Sequence, residues 1–316
     1  MRTPEPVAEA VEFPSDDGYR LRGTLWLPAD GSVRRPAVVI CCATGVAARY
    51  YDRFAAWLAQ RGLATLTFDY RGIGLSRHAG LRGLRATKFD WGALDADAAI
   101  RWLAGRFPER PLVGVGHSIG GFCLGCAPAN ARLARLLLVG SQYAYWPDYA
   151  ARQRVGYLLR WHLLMPLLAL CMGYFPGRRL GWLEDLPRGV ALEWGLRLWP
   201  DFDRLYPWLP AARGRPDGAA ARAAFAACRA DVLACAAADD PYATPAAMQR
   251  LLGWFVSART RQVQFLPQRF GLSRIGHFAP FHSDMQHTLW PLALRWLCGA
   301  SAGSDAGVRA SATAQQ

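Results

Sequence analysis

The chain has 316 residues, 52% of them apolar and 19% charged, which fits a folded globular protein and excludes a disordered one. Its formal charge is +13, nearly all of it from arginine, with Lys88 the only lysine. Those arginines are scattered along the chain (Arg34, Arg71, Arg101, Arg132, Arg178, Arg222 and Arg261 share no tract), so the balance reads as a solvated surface and no nucleic-acid partner is expected.

The opening "MRTPEPVAEAVEF" lacks the apolar core of a signal peptide. "VEFPSDDGYRLRGTLWLPADG" then alternates, with turn signals at Asp17-Gly18 and Asp30-Gly31, and reads as an antiparallel hairpin. "AVVICC" is a continuous apolar run, as expected of a strand buried on both faces. "YYDRFAAWLAQRG" places Tyr51, Phe54 and Leu58 on one helical face, with Gly62 as a stop. "LATLTFDY" is a second such strand. In "DWGALDADAAIRWLAG" Trp91, Leu94, Ala98 and Trp102 recur at helical spacing. "PLVGVG", "IGGFCLGCA" and "LARLLLVGS" follow as strand, helix and strand. This alternation predicts an α/β fold with a mostly parallel sheet flanked by helices.

The rhythm breaks after Ser141. Between Gln142 and Pro210 lie six tryptophans, Trp146, Trp161, Trp182, Trp194, Trp199 and Trp208, with helical periods and no obvious strand. The segment reads as an inserted helical cap whose tryptophans mostly pack it onto the core, a minority facing a cavity. "LLMPLLALCMGYF", residues 163–175, is the most apolar stretch. It is too short to span a bilayer and contains Pro166, so no stable membrane insertion is expected, and it reads as a buried cap helix. After the linker and helix in "GRPDGAAARAAFAAC" the alternation resumes through "DVLACAA", "TPAAMQRLLGWF", "TRQVQFLP" and "HTLWPLALRWLC". The expected organisation is core 1–141, cap 142–225, core 226–298 and a disordered tail 299–316. Eight cysteines form no disulfide framework, and Cys123 and Cys126 read as small buried residues on a helix. The cytoplasm is the expected location, with no metal or organic cofactor.

Gly116-His117-Ser118-Ile119-Gly120 fits G-x-S-x-G between a strand and a helix. Such a sharp turn forces the serine into a sparsely populated backbone conformation and needs glycine two residues to either side. It lifts the hydroxyl clear of the sheet and aims the Ile119 amide at a substrate oxygen. A serine needs a base, and the base needs an orienting group. The sequence offers His277 in "RIGHFAPF" after the last strand, ahead of His282 and His287 near the final helix. For the acid, "ADDPYATP" offers Asp240, with Asp239 as the neighbouring alternative that would otherwise cap the turn. A second oxyanion donor is expected in "CCATGVAARYY", from the amide of Val46 or of Gly45.

With "FDYRGIGLSR", "ADDPYATP" and "GHFAPF" added, the chain resembles the α/β-hydrolase superfamily over about residues 10–298. More narrowly, it is similar to a bacterial group of α/β-fold serine hydrolases without a settled substrate. The resemblance implies an α/β-hydrolase fold with Ser118, Asp240 and His277 as a triad. It implies a carboxylic ester or thioester substrate with a hydrophobic part, cleaved through an acyl-enzyme. An acyltransferase on the same triad, or a ligand-binding protein without turnover, are the alternatives.

Overall fold

The computed structural model describes residues 5–200, 214–299 and 309–310. Its main sheet runs β1 (Val7–Pro14), β2 (Arg20–Leu27), β4 (Ala64–Phe68), β3 (Ala37–Cys41), β5 (Leu112–His117), β6 (Leu133–Val139), β9 (Asp231–Ala237), β10 (Arg259–Phe265) in spatial order. β1 and β2 form the antiparallel hairpin, its turn at Asp17-Gly18, and β2 runs antiparallel to β4. From β4 to β10 every neighbour is parallel. β3, β4 and β5 are buried at every position, which explains why their sequences are unbroken apolar or threonine-containing runs. The helices Asp52–Ala59, Ile119–Cys126, Pro245–Leu252 and Leu289–Leu297 follow strands, as the parallel connections require. Cys123 and Cys126 are fully buried on the second of these.

Residues 88–106 form one helix with a π-helical stretch, Trp91–Ala96, in its middle. That stretch carries Asp95, whose carboxylate accepts from the Arg71 backbone amide at 2.9 Å and from its Nε at 2.7 Å. Arg71 also pairs with Asp17 and donates to the Ser15 hydroxyl at 2.9 Å. One guanidinium therefore ties the first hairpin turn to the long helix. The Arg71 and Asp95 side chains are 4% and 0% exposed. Replacing Arg71 with methionine would strand a buried carboxylate, so we expect a loss of about 3–5 kcal/mol. Adding Asp95→Leu to that variant should recover part of the loss, as read by urea denaturation of the single and double variants.

Between β6 and β9 the chain leaves the sheet. The inserted segment holds the helix Arg154–Met172, a two-strand ribbon of β7 (Tyr174–Phe175) and β8 (Leu186–Pro187), and the helix Arg188–Gly195. The ribbon was not legible in the sequence, being two residues per strand and one of them Pro187. Trp161 stacks on Trp194 at 4.9 Å and meets Trp182 edge-on at 5.7 Å, so these three rings pack against one another within the segment. Trp208 lies outside the described residues, as does 201–213 of the expected cap. The reading of 163–175 as part of a buried helix is corrected. Trp161, Met165 and Ala169 face inward, but Leu163 is 61% exposed and Leu167 and Leu170 are also exposed. The helix Gly218–Ala227 lies against the helix Ile119–Cys126, its Phe225 filling the space over Gly125. Of the expected tail, only Gly299 and β11 (Arg309–Ala310) are described, the latter pairing antiparallel with Val263 and Gln264.

Candidate active site

β5 runs directly into Ser118, which has φ 54° and ψ −115° and is the only described non-glycine residue at positive φ. An L side chain avoids this region, and it persists here because the neighbours leave no alternative. A Cβ on Gly120 would lie 2.1 Å from the Cys41 carbonyl oxygen, and one on Gly116 would lie 2.6 Å from the Gly121 amide. The two outer glycines of the motif are thus required by close backbone approach. Ile119 opens the helix Ile119–Cys126, so its amide has no acceptor one turn back.

The loops after β9 and β10 supply the other two residues. His277 Nδ1 donates to Asp240 Oδ2 at 2.7 Å, and both side chains are buried. Asp240 Oδ1 accepts from the amides of Tyr242 at 2.9 Å and Ala243 at 3.0 Å. Burial alone would raise the Asp240 carboxyl, but the charge and hydrogen bond of His277, with those two amides, outweigh it and hold it below its usual value. Asp239 does not touch the ring. Its carboxylate accepts from the amides of Ile275 and Gly276, both at 3.0 Å, and so clamps the histidine loop to the acid loop. With Nδ1 engaged, His277 keeps Nε2 for chemistry.

Three further residues bind these parts together. Gly140, at φ 58°, follows β6; a Cβ there would lie 3.1 Å from Asp240 Oδ2 and from His277 Nδ1. Just before it, the Val139 carbonyl accepts from the Ser118 amide at 3.1 Å. His117, fully buried beside Ser118, faces the His277 carbonyl through Nε2 at 3.0 Å and the Tyr51 hydroxyl through Nδ1 at 2.7 Å. A carbonyl only accepts, so its partner assigns the proton to Nε2. Burial, then the neighbouring His277, lowers the His117 imidazole to about 3, so it stays neutral. Tyr51 in turn accepts from the Ala43 amide at 2.9 Å. One chain of hydrogen bonds thus runs from the loop after β3, past the serine turn, to the histidine loop. The His117 and His277 ring centroids are 5.0 Å apart. Among the described residues no hydrogen bond joins the Ser118 hydroxyl to the His277 ring. Sequence reasoning missed His117, Gly140 and Tyr51; the histidine inside the serine motif was the available signal.

The loop after β3 corrects one expectation. The Val46 amide donates to the Ala43 carbonyl at 3.2 Å and closes a turn, so it is not free to hold an oxyanion. The amides of Gly45 and of Thr44, which sequence reasoning passed over, have no hydrogen-bond partner among the described residues. Gly45, at φ 67°, lies under the inserted segment. Its carbonyl accepts from the Glu184 amide at 2.9 Å, and a Cβ there would lie 2.9 Å from Leu183 Cβ. On the other side, Tyr242 sits 5.0 Å from the His277 ring and stacks on Tyr157 of the helix Arg154–Met172 at 4.5 Å. Among the described residues no three His, Cys, Asp or Glu side chains gather as a metal site would.

Comparison with known proteins agrees with this architecture. The hydrolase family described as serine aminopeptidase, S33, matches residues 33–174. A soluble variant of monoglyceride lipase from Saccharomyces cerevisiae is similar in structure, with a TM-score of 0.63, 17% identity, and 94% of this chain and 96% of that one covered. The Pyrococcus furiosus esterase Pf2001 has a TM-score of 0.54 and 15% identity, covering 92% and 93%. A thioesterase domain from the curacin biosynthetic pathway has a TM-score of 0.50 and 16% identity, covering 92% and 99%. No curated protein gives a significant match. The strand order, the serine held at positive φ between β5 and its helix, and these similarities together show an α/β-hydrolase fold.

Proposed function

We propose that the protein is a serine hydrolase that cleaves a carboxylic ester or thioester with a hydrophobic part. The observation that carries the reading is the buried Asp240–His277 hydrogen bond, formed at the same sheet edge as a serine held at positive φ. Ser118 attacks the carbonyl carbon. His277 Nε2 takes the hydroxyl proton and returns it to the leaving group, and Asp240 fixes the tautomer and stabilises the imidazolium. The tetrahedral oxyanion is held by the Ile119 amide and by that of Gly45 or Thr44. Water then hydrolyses the acyl-enzyme by the same proton relay. In enzymes of this kind the serine–histidine contact often tightens only with substrate bound. The aromatic inserted segment lies over both the Gly45 loop and the acid loop, whose Tyr242 borders the His277 ring, which supports a cap that shields the acyl-enzyme and receives an apolar group. The esterase, lipase and thioesterase names among the similar structures support the same bond class. All eight cysteines are free thiols, which fits a reducing compartment and the cytoplasm as the proposed location.

A fluorophosphonate probe and a p-nitrophenyl ester series from acetate to laurate test the reading. We expect label on the peptide containing Ser118, and turnover that rises beyond the acetate. A folded protein that takes no label and cleaves no member of the series would overturn it.

A further inference from the structure

The helix Arg154–Met172 is apolar on both faces. Its inner face is accounted for by Trp161, Met165 and Ala169, which are buried against the rest of the segment. The outer face carries Val155, Leu159, Leu163, Leu167 and Leu170, each more than half exposed, at spacings of three and four residues. They form one stripe along the whole helix. The helix Arg188–Gly195 packs beside it, with the Gly195 carbonyl 3.0 Å from His162 Nδ1, and the residues that follow extend the apolar surface through Leu196 and Trp199, 52% and 45% exposed. A continuous exposed surface of this kind marks a site of interaction.

Charge identifies the partner. Residues 149–183 contain no aspartate or glutamate but five arginines, Arg152, Arg154, Arg160, Arg178 and Arg179, of which Arg178 is paired with Glu184 just beyond the stretch. Arg160 is exposed at the stripe's edge, its guanidinium 4.7 Å from the Trp182 ring. An apolar stripe with tryptophan at its margin and arginine around it suits the boundary between acyl chains and anionic headgroups. The helix is long and apolar enough to cross a bilayer, but its ends argue otherwise. Near one end Tyr157 stacks on Tyr242; at the other the Met172 carbonyl accepts from Arg82 Nε at 3.0 Å. Both ends are tied back to the core, with the inner face packed on the rest of the inserted segment between them. Ends tied back in this way suit a helix lying along a bilayer surface and not one that traverses it.

We propose that this face docks the protein peripherally on a bilayer containing anionic phospholipid, with the stripe seated among the upper acyl carbons and the arginines among the headgroups. The inference uses the outer surface of the inserted segment and does not depend on the triad. Docking would also bring the Tyr157–Tyr242–His277 contact beneath the membrane face, so an ester partitioned in the bilayer would meet the site without crossing water.

Flotation with phosphatidylcholine vesicles, with and without phosphatidylglycerol, tests the proposal. We expect the protein to float with the anionic vesicles and less with the neutral ones. Binding should weaken several-fold as salt rises to about 0.5 M. Leu163→Asp should lower partition by about tenfold or more while leaving the far-UV circular dichroism and the cleavage of a soluble short-chain ester unchanged. If that variant fails to fold, Leu163→Gln and Leu167→Gln carry the same expectation in weaker form. Absence of flotation with anionic vesicles would overturn the proposal. So would flotation that the variants do not reduce. A concentration-dependent dimer in sedimentation velocity that Leu163→Asp dissociates, without vesicle binding, would overturn it in favour of self-association through this face.

Discussion

Replacing Ser118 with alanine is expected to lower ester turnover by about five orders of magnitude, since the nucleophile and its base act as a unit. Residual cleavage above the water rate should persist, because the amides of Ile119 and the loop after β3 still polarise the carbonyl. The same position makes a second, separable prediction about stability. At φ 54° and ψ −115° the backbone of residue 118 is strained for any side chain with a Cβ. Alanine keeps that strain; glycine removes it. Ser118→Gly should therefore be as inactive as Ser118→Ala but more stable than it by about 1 kcal/mol or more, the relief exceeding the added entropy of the unfolded chain. Ester kinetics and urea denaturation of both variants check the pair of expectations. Equal stability of the two would mean that residue 118 relaxes and that the elbow is not held by its surroundings.

The elbow was legible in the sequence because its constraints are short-range. Gly116 meets Gly121, five residues on, and the flanking strand is buried at every position. The parallel strands were legible for a similar reason, since Ala37–Cys41 and Leu112–His117 are buried on both faces and admit few polar side chains. Direction was harder. Asp239 and Asp240 are alike in sequence, and only the path of the loop sends one carboxylate to the backbone of Ile275 and Gly276 and the other to the His277 ring. His117 was passed over because its partners, Tyr51 and His277, lie 66 and 160 residues away. The helix Arg154–Met172 shows a different limit. Periodicity indicates a helix, but a helix apolar on both faces gives no sign of which face the protein itself covers.

His117 is a buried imidazole that bridges Tyr51 and the His277 carbonyl beside Ser118. Its imidazole is neutral throughout the working range, so it adds no charge next to His277. Its two hydrogen bonds fix the distance between the serine turn and the histidine loop. Asp239 fixes the same loop from the other side. The loop is thus held from both sides, and the His277 ring it carries is oriented through the hydrogen bond to Asp240.

Asp240→Asn is accordingly expected to reduce turnover by about 10³–10⁴-fold, because an amide that donates toward Nδ1 favours the wrong tautomer. Asp239→Asn should cost far less, about tenfold to a hundredfold, since it loosens the loop without altering the ring's proton. Their acid behaviour separates them further. The folded-state carboxyl of Asp240 lies below its ordinary value of 3.8, so the native protein binds that proton more weakly than the unfolded chain does. Its contribution to stability is complete above the unfolded value and is lost as pH falls through the folded one. Wild type should therefore lose stability below about pH 4 with a slope that Asp240→Asn lacks. Urea midpoints from pH 2.5 to 7, beside kcat for both variants at neutral pH, decide the matter. If Asp239→Asn shows the larger loss of turnover, the orienting role belongs to that residue and the Asp240–His277 contact is structural.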